Sequence, residues 1–278
     1  MLMRRLLKLF YKFVAPQWVK NALHLTLSDI ERYQQIPALG LPPGTRILVL
    51  APHPDDESIG CGGTIVKCLA AGHDVRVIVL TDGRYGSSQI RQLSGNDPES
   101  GKLQKALIET RRAEMQSAME LIGVTQIQFL DAMDSQLTLK IESISKTLAH
   151  EIDKWKPDTV ILPFITDRHA DHFAASRCLI EACKLLDSHY TINLNCMGYE
   201  TWSPIYANVL IDISSTMDKK LEAINCYQSQ LAGIDFKSAI EGLNRYRAIT
   251  GMYGGTHAEA YYMCPFPVYE RLYHQLLL

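Results

Sequence analysis

Five short apolar runs rich in β-branched residues, at 46–50, 75–81, 126–130, 159–163 and 192–198, alternate with helical periodicity at 62–71, 102–122, 138–155 and 172–187. Strands that take turns with helices of this length form a mostly parallel sheet with helices on both faces. Runs such as Val77-Ile78-Val79-Leu80 have no polar side, as a strand covered on both faces requires. The expected fold is therefore α/β, a Rossmann-like, doubly wound sheet. If its order is 3-2-1-4-5, the first and fourth strands are neighbours. The crevice beyond their carboxyl ends is then the switch point where such folds bind ligands.

Two polar clusters fall at that point. Ala51-Pro52-His53-Pro54-Asp55-Asp56-Glu57 follows the first run, and Asp167-Arg168-His169-Ala170-Asp171-His172 follows the fourth. Imidazoles and carboxylates at the ends of buried strands are costly unless they bind something, and the donor types suit a metal ion. A catalytic zinc takes three protein ligands and leaves one position for water. His53 and Asp56 can face one ion from a single turn, and His172 can complete the set. Asp55 is then left beside the metal as a general base. His169 becomes the group that protonates a leaving amine or stabilises an oxyanion. Asp171 becomes the carboxylate that orients an imidazole through its second nitrogen. Iron(II) accepts the same donors as zinc. A helix-capping role would explain Asp55 or Asp56 alone, but not a second His-rich cluster at the matching end of another strand.

Nearby segments add less. Gly60-Cys61-Gly62-Gly63 lacks the G-x-G-x-x-G spacing of a dinucleotide loop and reads as close helix–strand packing. The polar stretch 82–101 reads as a long functional loop. Within it Arg84 is the expected substrate contact, reaching a phosphate or carboxylate in the same crevice. A solvated loop arginine is the competing reading.

The 278 residues carry a net charge of −2, so nothing global favours nucleic acid. No apolar stretch approaches the roughly 20 residues needed to cross a bilayer. Seven cysteines without Cys-x-x-Cys spacing read as reduced, buried thiols of a cytoplasmic protein. Residues 1–44 read as an N-terminal extension and 45–278 as the functional domain. In the opening MLMRRLLKLFYKFV, Arg4, Arg5, Lys8 and Lys12 share one helical arc opposite an apolar face. Lys8 and Lys12 interrupt the apolar core that a signal peptide needs. The segment suits peripheral contact with the inner face of an anionic membrane. Docking on its own domain, or on a partner subunit of a homo-oligomer, is the other reading.

With those residues in view, the chain resembles the PIG-L/LmbE-like zinc-dependent N-acetylglucosaminyl deacetylases. Their signature is Ala-His-Pro-Asp-Asp-Glu after the first strand and His-Pro-Asp-His after a later one. Here Pro52 is inserted in the first motif and Ala170 replaces the proline of the second. By similarity His53, Asp56 and His172 hold the metal, Asp55 is the base and His169 the second catalytic group. Weaker echoes lie at Thr81–Gly86, at Arg111-Arg112-Ala113-Glu114, where an i, i+3 ion pair of structural role is expected, and at 199–202, 227–230 and 258–261. Some members carry a tyrosine where this chain has Asp167, which then serves as a loop cap or accepts sugar hydroxyls. Tyr246, Tyr253, Tyr261 and Tyr262 offer stacking faces or core packing. The resemblance implies a hydrolase that removes acetyl from an N-acetylglucosamine-type conjugate, soluble or lipid-linked. The alternatives are a non-sugar amide hydrolase on the same site and a metal- and sugar-binding protein without turnover.

Overall fold

A computed structural model describes residues 36–87, 90, 98–251 and 254–276, and the amphipathic segment expected at 1–14 lies outside these residues. The described strands are β1 (Ala38–Leu39), β2 (Arg46–Ala51), β3 (Asp74–Thr81), β4 (Gln126–Ala132), β5 (Thr159–Pro163), β6 (Asn195–Tyr199), β7 (Val209–Asp212) and β8 (Ala258–Pro265). They form one sheet in the order β1-β7-β8-β6-β5-β2-β3-β4. The stretch from β4 to β6 is the parallel 3-2-1-4-5 arrangement expected from the alternation of strands and helices. Beyond β6 the sheet changes character: β8 runs antiparallel to both β6 and β7. β1 closes that edge parallel to β7, so the sheet takes in residues ahead of the expected boundary at 45.

Alternation along β2 divides the core. Leu48 and Leu50 face one layer, packed with Leu148, Ile152, Leu162 and Leu179. Ile47, Val49 and Ala51 face the other, packed with Ile65, Met115, Met119 and Tyr261. Side chains of this kind each contribute roughly 1.5–3 kcal/mol when fully buried. The first layer is covered by helices α3 (Ile141–Trp155), α4 (Ala170–Cys183) and α9 (Phe266–Leu276), the second by α1 (Asp56–Ala70), α2 (Pro98–Ile122) and α6 (Met217–Asn225). Two short helices, α5 (Ser188–Asn193) and α7 (Gln228–Leu231), lie in connections, and α8 (Phe236–Gly251) packs Ala248 against Leu210, Ala258 and Ala260. The seven cysteines are all free, and all but Cys226 are buried.

Helix α1 starts earlier than its periodicity suggests, because its first turn is the acidic cluster itself. It breaks at Cys61, whose φ of −143° and ψ of 18° are not helical. The glycines flanking the break let it lie close to the sheet. A Cβ at Gly60 would stand 2.1 Å from the Tyr199 ring.

Candidate active site

β2 and β5 pair in parallel, Leu48 opposite Val160, so the loops after their carboxyl ends meet. The first loop turns through Asp55, whose φ of 129° is rare for a side-chain-bearing residue. Strain of this kind is costly and concentrates at functional sites. Its effect here is that Asp55 stands at the N-cap of α1 without capping it. The Asp55 Oδ2 instead lies 3.0 Å from the Arg111 guanidinium.

Asp56 occupies the centre of the site. Its Oδ2 lies 3.1 Å from His53 Nδ1 and 3.1 Å from His172 Nε2. Ligand atoms about 2.0–2.1 Å from a tetrahedral zinc sit about 3.3 Å apart. Each imidazole nitrogen thus stands at about that distance from the Asp56 oxygen. A second observation agrees. His172 is fully buried, yet neither ring nitrogen has an aligned hydrogen-bond partner among the described residues. Buried polar atoms without partners call for an explanation, and a ligated ion is one.

Among the described residues, His53, Asp56 and His172 are not a grouping whose donors all lie within 4.8 Å of one another; two groupings are, and both include His53: with His169 and His172, and with Asp134 and Asp171. Their carboxylates and His169 are already engaged. Asp171 accepts the backbone N–H groups of Ser135 at 2.7 Å and Leu137 at 3.2 Å. Asp134 accepts that of Tyr85 at 2.9 Å. His169 caps α4, its Nδ1 accepting the Asp171 N–H at 3.2 Å. Asp134 and Asp171 each approach the outer nitrogen of His53, at 3.3 Å. Asp167 stands 3.1 Å from the outer nitrogen of His172. Carboxylates behind metal-bound imidazoles fix the ring and raise its basicity. Asp167 also accepts the N–H groups of His169 at 3.0 Å and Trp202 at 2.9 Å, so it braces the loop rather than reaching into the cavity.

The charge balance points the same way. Burial would lower the pKa of His53, but Asp134, Asp171 and Asp56 together push it well above its ordinary value. Burial opposes protonation of His172 too, and Asp56 and Asp167 nevertheless raise it to about 9. Both shifts show that these carboxylates favour positive charge among them. His169 behaves oppositely: burial and then the neighbouring His53 and His172 lower its pKa. Asp55 is raised by burial to about 7, with Arg111 opposing the shift.

These groups face a cavity of about 430 Å³, bordered by His53, Asp55, Asp56, His169, Arg111 and Trp202 among others. That volume lies within the usual range for small-molecule sites. Arg84 is not brought there. Its Nε donates to Asp82 at 2.9 Å, and it does not line the cavity. Arg111 occupies that ground instead. The expected Arg111–Glu114 helical pair is absent: Arg111 donates to Gly83 O at 3.0 Å and to Pro54 O at 2.5 Å. Glu114 accepts from the Ser229 N–H at 2.7 Å and the Ser229 hydroxyl at 2.6 Å. Gly83, at φ 65°, lies so close that a Cβ there would stand 2.5 Å from the guanidinium. None of the described tail tyrosines lines the cavity; Tyr261 is buried and Tyr262 stacks on Phe164.

Imidazoles and carboxylates gathered at the switch point of a doubly wound sheet are the donor types from which hydrolytic metal centres are built. Known proteins give this chain a family. The model described as PIG-L, GlcNAc-PI de-N-acetylase, matches residues 48–183, a span that contains both loops. The chain is 32% identical over 203 residues to the diacetylchitobiose deacetylase of Thermococcus kodakarensis, covering 66% of this chain and 70% of that one. Among solved structures it resembles the conserved protein TT1542 of Thermus thermophilus, with a TM-score of 0.65 and 28% identity over 79% of this chain and 94% of that one. The N,N'-diacetylchitobiose deacetylase of Pyrococcus horikoshii shares the fold, with a TM-score of 0.68 and 24% identity over 90% and 94% of the two chains. This chain belongs to the PIG-L deacetylase family.

Proposed function

We propose that this protein is a metal-dependent hydrolase that releases acetate from an N-acetylglucosamine-type conjugate. The observation that carries the reading is Asp55, a buried carboxylate with its pKa near neutrality, beside the Asp56 oxygen that two imidazoles share. His53, Asp56 and His172 would hold the ion, zinc by preference and iron(II) as the other ion that suits these donors. When bound, such an ion lowers the pKa of water and polarises an amide carbonyl.

The remaining chemistry belongs to the chain. Asp55 takes the proton that the attacking water loses and returns it to the departing amine nitrogen. Arg111 holds the carboxylate in place, and Pro54 O and Gly83 O hold Arg111. His169 is neutral near pH 7, since its pKa is lowered. Its Nδ1 accepts a backbone N–H, so its proton sits on Nε2. A neutral imidazole with an Nε2–H donor suits the developing negative charge on the acetamide oxygen, the oxyanion-stabilising role. Asp171 and Asp134 orient His53, and Asp167 orients His172.

Acetate release from N-acetylglucosamine conjugates, by metal-loaded and by chelated protein, tests the reading. Acetate that appears with metal and stops with chelator is expected. A metal-replete protein that releases none from any conjugate overturns it.

A further inference from the structure

Asp55 is held in a conformation that a helix start does not supply. An N-cap residue ordinarily has extended backbone and turns its side chain back over the first turn of its helix. Asp55 has a φ of 129°, and its side chain makes no cap hydrogen bond. The carboxylate is turned instead to Arg111 and the cavity. Keeping that rotation requires both flanking peptide planes to be fixed. The plane after Asp55 is fixed by α1, because the Asp55 carbonyl accepts from the Ser58 N–H at 3.1 Å and the Ile59 N–H at 3.0 Å. The plane before it is fixed by a side chain: the Asp55 N–H donates to Glu57 Oε2 at 3.2 Å.

Glu57 is itself tied down. It is wholly buried, and its Oε1 accepts from the Ser58 hydroxyl at 2.7 Å and from the Tyr227 hydroxyl. Tyr227 is buried between α6 and α7. Its N–H donates to Ile224 O at 3.1 Å, and its carbonyl accepts from the Gln230 and Leu231 N–H groups at 3.0 Å. Ser229 and Gln230 then line the cavity. Ser229 is bound to Glu114 on α2, the helix that also brings Arg111 to Asp55. The base is thus gripped twice. Helix α2 holds its carboxylate through Arg111, and the junction of α6 and α7 holds its backbone through Tyr227 and Glu57.

A glutamate that reaches back to an N-cap N–H is also one half of a capping box. A capping box, however, leaves the N-cap side chain over its own helix, and here that side chain faces away. A left-handed turn at a side-chain-bearing residue costs free energy. What it secures at this position is the direction of one carboxylate. Glu57 and Tyr227 do not line the cavity, so their part is to position and not to react.

We propose that Glu57 is a positioning residue for the reaction and Tyr227 its anchor: together they hold Asp55 in the left-handed turn that directs its carboxylate at the reacting centre. The inference rests on the deacetylase reading above and deepens it.

The test uses the full, metal-loaded chain. Tyr227→Phe keeps the ring and removes the hydroxyl, and Glu57→Gln keeps the shape and turns one acceptor into a donor. In Tyr227→Phe kcat should fall about tenfold, the scale of one lost hydrogen bond to a charged group. In Glu57→Gln it should fall about 10²-fold, the scale of a reacting group misplaced by about 1 Å. KM and bound metal should stay at the parent's values, the signature of an interaction made only in the transition state. Repeating Tyr227→Phe in an Asp55→Asn background separates positioning from folding. With no base to position, the second substitution should cost nothing further. A crystal structure of metal-free Glu57→Gln gives a readout apart from turnover, and in it Asp55 should leave the left-handed region. If Glu57→Gln does not fold, the Tyr227→Phe cycle decides alone. Equal losses in both backgrounds, loss of bound metal in step with the rate, or an Asp55 turn unmoved in the crystal would overturn the proposal. No acetate from the parent with any conjugate would sink the deacetylase reading instead, and the crystal structure would then decide what holds the turn.

Discussion

Helix α1 has a buried charged cluster on either side of its break, and the two are built in opposite ways. Behind the break, Glu259 is fully satisfied. Its Oε1 accepts from Lys220 Nζ at 2.7 Å and from the Gly63 N–H at 2.9 Å. Its Oε2 accepts from the Thr64 N–H at 2.9 Å and from the Tyr261 hydroxyl at 2.8 Å. The carboxylate thus caps the second half of the helix, Lys220 is wholly buried, and neither residue borders the cavity. At the front end acceptors outnumber donors. Asp56, Asp134, Asp167 and Asp171 surround two imidazoles, His172 lacks aligned partners, and the cluster opens on a cavity. Buried charge alone is therefore no mark of chemistry. An unbalanced donor count together with access to solvent is.

Substitutions can break or sharpen that contrast. The largest effect is expected at His172. Purified His172→Ala should hold far less metal than the parent, and its acetate release should fall to the level of chelated protein. Metal analysis showing full occupancy would erase the distinction between the two clusters. Lys220→Ala comes next, and its effect should be on folding. It leaves Glu259 buried without its cation, which costs about 3–5 kcal/mol. Denaturant unfolding should register that loss while the folded fraction keeps its kcat. A smaller loss, about 1–3 kcal/mol, is expected for Gly60→Ala, where a methyl group meets the Tyr199 ring. Unchanged unfolding midpoints would mean that α1 has room to move away from β6.

The smallest effect concerns pH. Burial holds the Asp55 carboxyl near 7, and a base must be unprotonated to work. The rate should therefore fall as pH drops through about 7 and level off above it. Arg111 opposes the shift, so Arg111→Gln should move this limb to higher pH. A limb that stays in place would detach Arg111 from Asp55. Metal affinity should fall in the same direction. His53 and His172 hold protons that must leave before an ion binds.

The parallel half of the sheet and both loops were legible in the chain because their signals are local. Each strand is a continuous apolar run, and each loop places its imidazoles and carboxylates within a few residues of one another. What lay beyond reading depends on where distant elements pass. Arg111 sits in a helix with Glu114 one turn away, which suggests a surface pair, yet α2 crosses over the first loop and each residue finds a remote partner. Asp134 follows β4 with no histidine near it in sequence, and only the adjacency of β3 and β4 to β2 brings it to His53. Strand β8 inserts antiparallel between β6 and β7, a placement that its tyrosine-rich pattern does not announce. Arg84 had a nearer carboxylate in Asp82, two residues away. Trp202 belonged to a family-like segment, but its exposure at the cavity mouth is a property of the folded chain.

The most direct test of the account is Asp55→Asn, assayed for bound metal and for acetate release on the same preparation. The side chain keeps its shape, and the three proposed ligands are untouched. Metal should remain at the parent's stoichiometry while kcat falls by about 10²–10⁴, the usual contribution of a positioned general base. Turnover within a few-fold of the parent, with metal still bound, would contradict the role given to Asp55 and with it the reading of the front cluster as a hydrolytic centre.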